Sequence, residues 1–259
     1  MYAAPDLKIG SRGAEVGNLQ RFLCLAGFTD WNDQTVAADE IFGLRTSAAL
    51  RKWQEGNGLY DSGVFRLHDR DLAQSQGFIP FVQSLNYTRV YPAFRQIDVI
   101  VIHTMESSEK PGMAENVALW FAGKTKYTAP RASAHFCIDS IATIQCVRQM
   151  DVAWHCPGIN HNGIGIEHAG RASQTKDQWN DDESKAILRK SAKLVAKLCK
   201  EHNLPIIKLS PDELKAKRRG LCGHNDGSIA FPGPGRNHWD PGIFVWEKYL
   251  EMVHTYSEE

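Results

Sequence analysis

Glycine and proline set the first constraint on this chain. The stretch Leu221–Gly242, LCGHNDGSIAFPGPGRNHWDPG, is punctuated by them too often to read as a helix or a strand. It is also dense in groups that bind metals or move protons. His224 comes first, then a Gly/Pro-rich loop, then His238 and Asp240 just before a Pro-Gly pair. A loop of this kind positions side chains, so the rest of the chain must supply a regular framework to hold it. The expectation is half of a zinc site.

The framework is legible in residues 95–256. Asp98–His103, DVIVIH, is a short β-branched run that suits a strand buried on both faces, with His103 at its end. Ala114–Phe121 predicts a helix. Ser133–Ile138 alternates, and Thr143–Val147 reads as a strand paired with it. In Gly163–Ala169, GIGIEHA, alternation places Gly165 and Glu167 on one face and Ile164, Ile166 and His168 on the other. Glu183–His202 carries one apolar stripe, Ile187, Leu188, Leu194, Val195, Leu198 and Cys199, and Pro205 ends it. Ile206–Ile207 is expected to begin a strand and Phe244–Tyr256 to form a final helix. Strands interspersed with helices predict an α/β fold, a mixed central β-sheet flanked by helices.

Residues 1–76 read differently. Val16, Leu19, Phe22, Leu23 and Ala26 recur at helical spacing, Thr46 is the expected N-cap of a second helix through Trp53, and Arg66–Gln74 gives a third. This is a small helical domain without a cluster of catalytic residue types. Residues 77–94 are aromatic with scattered Pro and read as a packed linker to a second domain, 95–259.

Composition narrows the function classes. Lys+Arg and Asp+Glu are 30 each in 259 residues, so no global basic field draws nucleic acid or anionic membranes. No apolar run is long enough for a membrane span, and MYAAPDLKIGSRG lacks the pattern of a signal peptide. The six scattered cysteines are expected as free thiols.

The chemistry-bearing residues are His103, Glu167, His224, His238 and Asp240. Catalytic zinc takes three protein ligands and keeps one position for water. His103, His224 and Asp240 would supply two histidines and a carboxylate. Glu167 is then the available base, and Gly165 on its face leaves room for a substrate. His238 is free to stabilise an oxyanion or to protonate a leaving amine. Spacing alone leaves the bland readings open: a hydrogen-bonded strand-end histidine at 103, a turn opened by Asp240, an ion pair for Glu167, and Cys222 as a rival ligand. His135 and His168 read as structural or as supports just behind the ligands, with His168 on the wrong face for the site itself. Trp154, His155 and Asn162 are expected to line a groove or simply pack, and Lys215–Arg219 to be a solvated charged turn.

Taken in order, DVIVIHTME, SAHFCID, Ile144–Gln145, AWHCPGINHNGIGIEHAG and GHNDGSIAFPGPGRNHWDPG resemble the zinc-dependent N-acetylmuramoyl-L-alanine amidase family, which shares its fold with peptidoglycan recognition proteins. The resemblance spans almost all of 95–246. It implies Zn2+ on His103, His224 and Asp240, and water activation at Glu167. His238 falls where many members have a lysine, so a group charged near neutrality is replaced by one that is largely neutral there. In residues 1–76, Gly10–Val16, Leu19–Gln20, Glu40–Gly43, Thr46, Leu50, Trp53, Gln54 and Gly58–Leu59 resemble the three-helix peptidoglycan-binding domain of cell-wall hydrolases.

Together the two resemblances imply a peptidoglycan hydrolase that cleaves the amide between N-acetylmuramic acid and L-alanine. The expected context is a monomeric bacteriophage endolysin, held in the host cytoplasm and reaching the wall after release, with no nucleic-acid partner and no membrane insertion. The alternatives are a non-catalytic peptidoglycan-binding receptor and a cytoplasmic wall-recycling amidase.

Overall fold

Helical spacing gives the N-terminal region α1 (Ala14–Leu25), α2 (Leu44–Gly56) and α3 (Leu67–Ser75). The computed structural model describes residues 5–91, 94–233 and 238–258. It divides into two units, Met1–Phe81 and Val82–Glu259. The first unit has its own core, in which Leu19, Leu23, Phe42, Leu50, Trp53, Phe65 and Phe78 are buried together. Edge-to-face pairs order it, such as Phe65 with Phe78 at 5.1 Å between ring centroids.

Two expectations change here. Thr46 does not cap α2, whose N-cap is Gly43. The threonine is buried one turn inside, where its hydroxyl lies 3.0 Å from the Gln20 side-chain nitrogen. Satisfying a buried amide outweighs capping. The expected linker 77–94 is not a separate piece. Phe78 belongs to the first core, whereas the Val82 and Ser84 amides each donate at 2.9 Å to carbonyls of the second unit, Gln145 and Cys146. Residues 92–93 lie outside the described residues.

The second unit starts with β1 (Tyr87–Thr88), β2 (Val99–Thr104), α4 (Met113–Phe121), β3 (Phe136–Ile138), β4 (Thr143–Gln145), β5 (Val152–Ala153) and β6 (Gly163–His168). It continues with α5 (Asp182–His202), α6 (Pro211–Lys215), β7 (Gly220–Gly223), α7 (His224–Ala230) and α8 (Trp246–Ser257). A five-stranded sheet has the order β4-β3-β6-β2-β7. β3, β6, β2 and β7 run parallel, and β4 is antiparallel at one edge. β1 and β5 form a separate antiparallel pair.

β2 is buried at every position because strands flank it on both sides, which is why its sequence is a continuous apolar run rather than an alternation. α5 starts where the Asp181 side chain accepts from the Ser184 amide and ends at Asn203 in the left-handed conformation. Among the described residues, no helix is long and apolar enough to cross a membrane.

The stretch at 221–242 is more regular than its composition suggests. Gly220–Gly223 is strand and His224–Ala230 is helix. The ladder with Val99–Ile102 of β2 supplies pairing that local propensity does not favour. Irregular chain begins only at Phe231, and residues 234–237 lie outside the described residues. Conversely, Ile206–Ile207 begins no strand. That segment makes one isolated parallel bridge, Lys208 with Leu221.

Candidate metal centre and its cleft

In parallel sheets, ligand sites collect beyond the carboxyl ends of the strands. His103 is the penultimate residue of β2 and Glu167 the penultimate residue of β6, and the two are direct register partners. Register partners in neighbouring strands project to the same face, so the ladder alone aims both side chains together. β7 ends at Gly223 opposite Ile102, which delivers His224 beside His103. A side chain at Gly223 would strike Pro241, with an added Cβ only 2.6 Å from the proline ring. The glycine thus lets the returning loop close over the strand end and bring in Asp240.

His103, His224 and Asp240 converge, with their ligand atoms all within 4.8 Å of one another. His103 Nδ1 is 3.1 Å from Asp240 Oδ2, and His224 Nδ1 is 3.1 Å from Asp240 Oδ1. All three residues are buried. Burial opposes ionisation of Asp240, but hydrogen bonds from His103 and His224 outweigh it and hold the carboxyl far below the usual range. Burial also lowers the His103 pKa, against the opposing pull of Asp240. An ionised carboxylate beside a neutral imidazole is the protonation state that a divalent cation requires of its ligands. A buried His2Asp set of this kind fits a small divalent metal ion.

Glu167 faces the same space. Its Oε2 is enclosed and has no hydrogen-bond partner among the described residues. Burial, with Asp240 and Glu106 nearby, raises its pKa well above the ordinary carboxylate range. An unpaired, basic carboxylate beside a metal-ligand cluster is equipped to take a proton. His238 is exposed at the mouth, its ring stacked on His224 at 4.1 Å between centroids and 13° between planes. These five residues line one cleft of about 380 Å³, with Trp120, Arg131 and Trp154 among its other walls.

The structure therefore brings together all five residues singled out from the sequence. Gly165 is a correction: it leaves no room for a substrate. A Cβ there would lie 2.5 Å from the His155 ring, so the protein's own imidazole fills that space. His155 is buried, lines the cleft, and sets its Nδ1 3.1 Å from His103 Nε2. The sequence placed it beside the groove but gave no signal for that contact.

Asn162 packs rather than lining the cleft. Its side chain donates to Asp98 at 3.1 Å. Cys222 is a buried thiol on β7, outside the ligand group, and none of the six cysteines is in a disulfide. His168 is structural in its contacts, bonding the His103 carbonyl at 3.0 Å and Ser191 at 2.6 Å. Arg219 departs from the solvated-turn reading of Lys215–Arg219. It bonds Asp98 and the carbonyls of Ile97, His202 and Asn203.

A family model described as N-acetylmuramoyl-L-alanine amidase matches residues 93–243. N-acetylmuramoyl-L-alanine amidase A of Achromobacter lyticus is 28% identical over 186 residues, covering 66% of this chain and 89% of that protein. Among solved structures, Staphylococcus aureus hydrolase AmiA in complex with its ligand aligns at a TM-score of 0.49 and 16% identity, over 69% of this chain and 82% of that one. N-acetylmuramoyl-L-alanine amidase LysC from Clostridium intestinale aligns at 0.45 and 16%, over 68% and 97%.

Proposed function

The chain belongs to the N-acetylmuramoyl-L-alanine amidase family, and from that premise we propose that its second unit hydrolyses the amide between the lactyl group of N-acetylmuramic acid and L-alanine in peptidoglycan, with zinc held by His103, His224 and Asp240. The observation that carries this reading is the convergence of those three residues opposite the unpaired Glu167 carboxylate. When bound, zinc supplies Lewis-acid polarisation and a water of lowered pKa.

The chain's own groups do the rest. Glu167 Oε2 takes the proton of the attacking water, and its raised basicity suits that task. The water oxygen bonds to the lactyl carbonyl carbon. Glu167 then returns the proton to the alanine nitrogen as the C–N bond breaks. His238, at the mouth beside His224, donates to the carbonyl oxygen as charge builds there. The walls of Trp120 and Trp154 give the glycan-peptide an apolar surface.

Residues 1–76 serve, in this reading, to hold the enzyme on the wall. The separate core and the motif resemblance support that role. The whole is a monomeric bacteriolytic protein of the endolysin type, kept in the host cytoplasm until release. The test is the appearance of new L-alanine amino termini in purified walls treated with zinc-loaded wild type, Glu167→Gln and chelated protein. Amino termini from wild type alone support the reading. Their absence with zinc-loaded wild type removes it, and wall binding without turnover points to a receptor instead.

A further inference from the structure

The two histidines of the ligand group are supported unequally. His224 Nε2 is buried and has no hydrogen-bond partner among the described residues. His103 has both ring nitrogens engaged: Nδ1 faces Asp240 Oδ2 at 3.1 Å, and Nε2 faces His155 Nδ1 at 3.1 Å.

The seat of His155 is built by several independent features. Its ring stands nearly perpendicular to that of His103, at 88°. Gly165 of β6 clears the space, since an added Cβ there would lie 2.5 Å from the ring. The backbone on either side is clamped as well, because the amides of His155 and Cys156 both donate to Asn160 Oδ1, at 3.0 and 2.7 Å.

We propose that His155 is a positioning residue: by accepting a hydrogen bond at Nδ1 it favours the His103 tautomer with its proton on Nε2, the one whose Nδ1 lone pair is free for a metal. The argument is a competition for one proton. A neutral imidazole carries a single N–H. Without metal, the Asp240 carboxylate 3.1 Å from Nδ1 draws that proton to its own side. A cation on Nδ1 displaces it, and the proton must then find an acceptor beside Nε2, which is His155 Nδ1 at 3.1 Å. Groups that fix a ligand histidine in this manner commonly contribute about 10–100-fold to metal affinity. His224, whose Nε2 has no such brace, gains nothing comparable.

This inference rests on the metal reading given under Proposed function, and the test separates the two. Zinc affinity is measured by chelator competition for wild type, His155→Leu and His155→Asn, together with the melting temperature of each metal-free protein. Leu fills space without an acceptor, whereas the Asn carbonyl restores one near the position of Nδ1. The expected result is an affinity about 10–100-fold weaker for His155→Leu and within about threefold of wild type for His155→Asn. If His155→Leu binds as tightly as wild type, or if His155→Asn weakens as far as His155→Leu at an unchanged metal-free melting temperature, the inference is overturned.

A second measurement needs no variant. Nitrogen-15 spectra of zinc-loaded wild type should show His103 protonated on Nε2 and bound to metal through Nδ1, and a metal bond at Nε2 would overturn the proposal even if the variants fail to fold. Wild type that binds no zinc would overturn the metal reading instead.

Discussion

His103 and Glu167 stand on neighbouring strands, each held by ladder bonds on both sides. Asp240 and His238 belong to a returning loop, and among the described residues the backbone of each makes one hydrogen bond to α7. The Asn225 amide donates to the Asp240 carbonyl at 2.8 Å, and the His238 amide to Ser228 Oγ at 3.3 Å. His103 is 2% exposed, whereas His238 is exposed at the mouth. The strand-borne half fixes positions that a chemical step needs constant. The loop-borne half closes the ligand set and meets the substrate. Damage to Glu167 should therefore appear as lost chemistry, damage to any of the three ligands, on strand or loop, as lost metal, and damage to His238 as weakened contact.

The largest effect is expected from the one residue that joins the halves. Asp240→Ala removes the charge that both histidines face, so zinc stoichiometry should fall toward zero and amide hydrolysis to background. Atomic absorption on dialysed protein checks this, and retained zinc would show that the loop does not complete the site. Glu167→Gln should cost roughly 10²–10⁴-fold in kcat while leaving zinc stoichiometry intact, which isolates the strand-borne function from metal binding.

Gly165→Ala tests the framework alone. The new Cβ would meet the His155 ring, and overpacking of this kind costs about 1–3 kcal/mol. A lowered melting temperature in metal-free protein is the readout. His238→Ala should be milder for folding and cost about tenfold in kcat/KM, as for one lost hydrogen bond to a charged oxygen. His238→Lys should recover most of it. A loss as deep as that of Glu167→Gln would move His238 from the margin of the site to its centre.

The division between strand and loop also explains what was legible in the sequence. A β-branched run ending in His103 and an alternating segment containing Glu167 advertise their geometry, because strand periodicity fixes which residues share a face. His224 and Asp240 were visible as ligand types, but the strand and short helix around His224 were not. Gly220 and Gly223 disguise β7, which exists because β2 offers it a partner. Gly165 was misread for a related reason. A missing side chain announces space without saying what fills it, and here it is His155. His155 itself lies in a loop with no periodicity, so only the folded chain reveals its contact with His103.

The smallest predicted effect concerns the layer behind the strand-borne half. His135 is fully enclosed. Its Nδ1 accepts the Gly165 amide at 3.0 Å, and its Nε2 lies 3.1 Å from the Asp151 carbonyl and 3.1 Å from an Arg95 nitrogen. Burial, then the Arg95 charge, lowers its pKa to about 3. Protonation at Nδ1 would remove the acceptor for Gly165, two residues from Glu167 on β6.

Between its folded pKa of about 3 and the ordinary value of about 6.5, only the unfolded chain takes up this proton. The contribution to stability is therefore full above that ordinary value, is lost progressively as pH falls below it, and levels off near the folded pKa. From pH 6.5 to 5.5 the expected loss is about 1 kcal/mol. Urea melts across this window should show it in wild type, and His135→Gln, provided it folds, should flatten that part of the slope. An unchanged slope in a folded His135→Gln protein would mean that the layer behind β6 takes no part in the acid sensitivity of the strand-borne half.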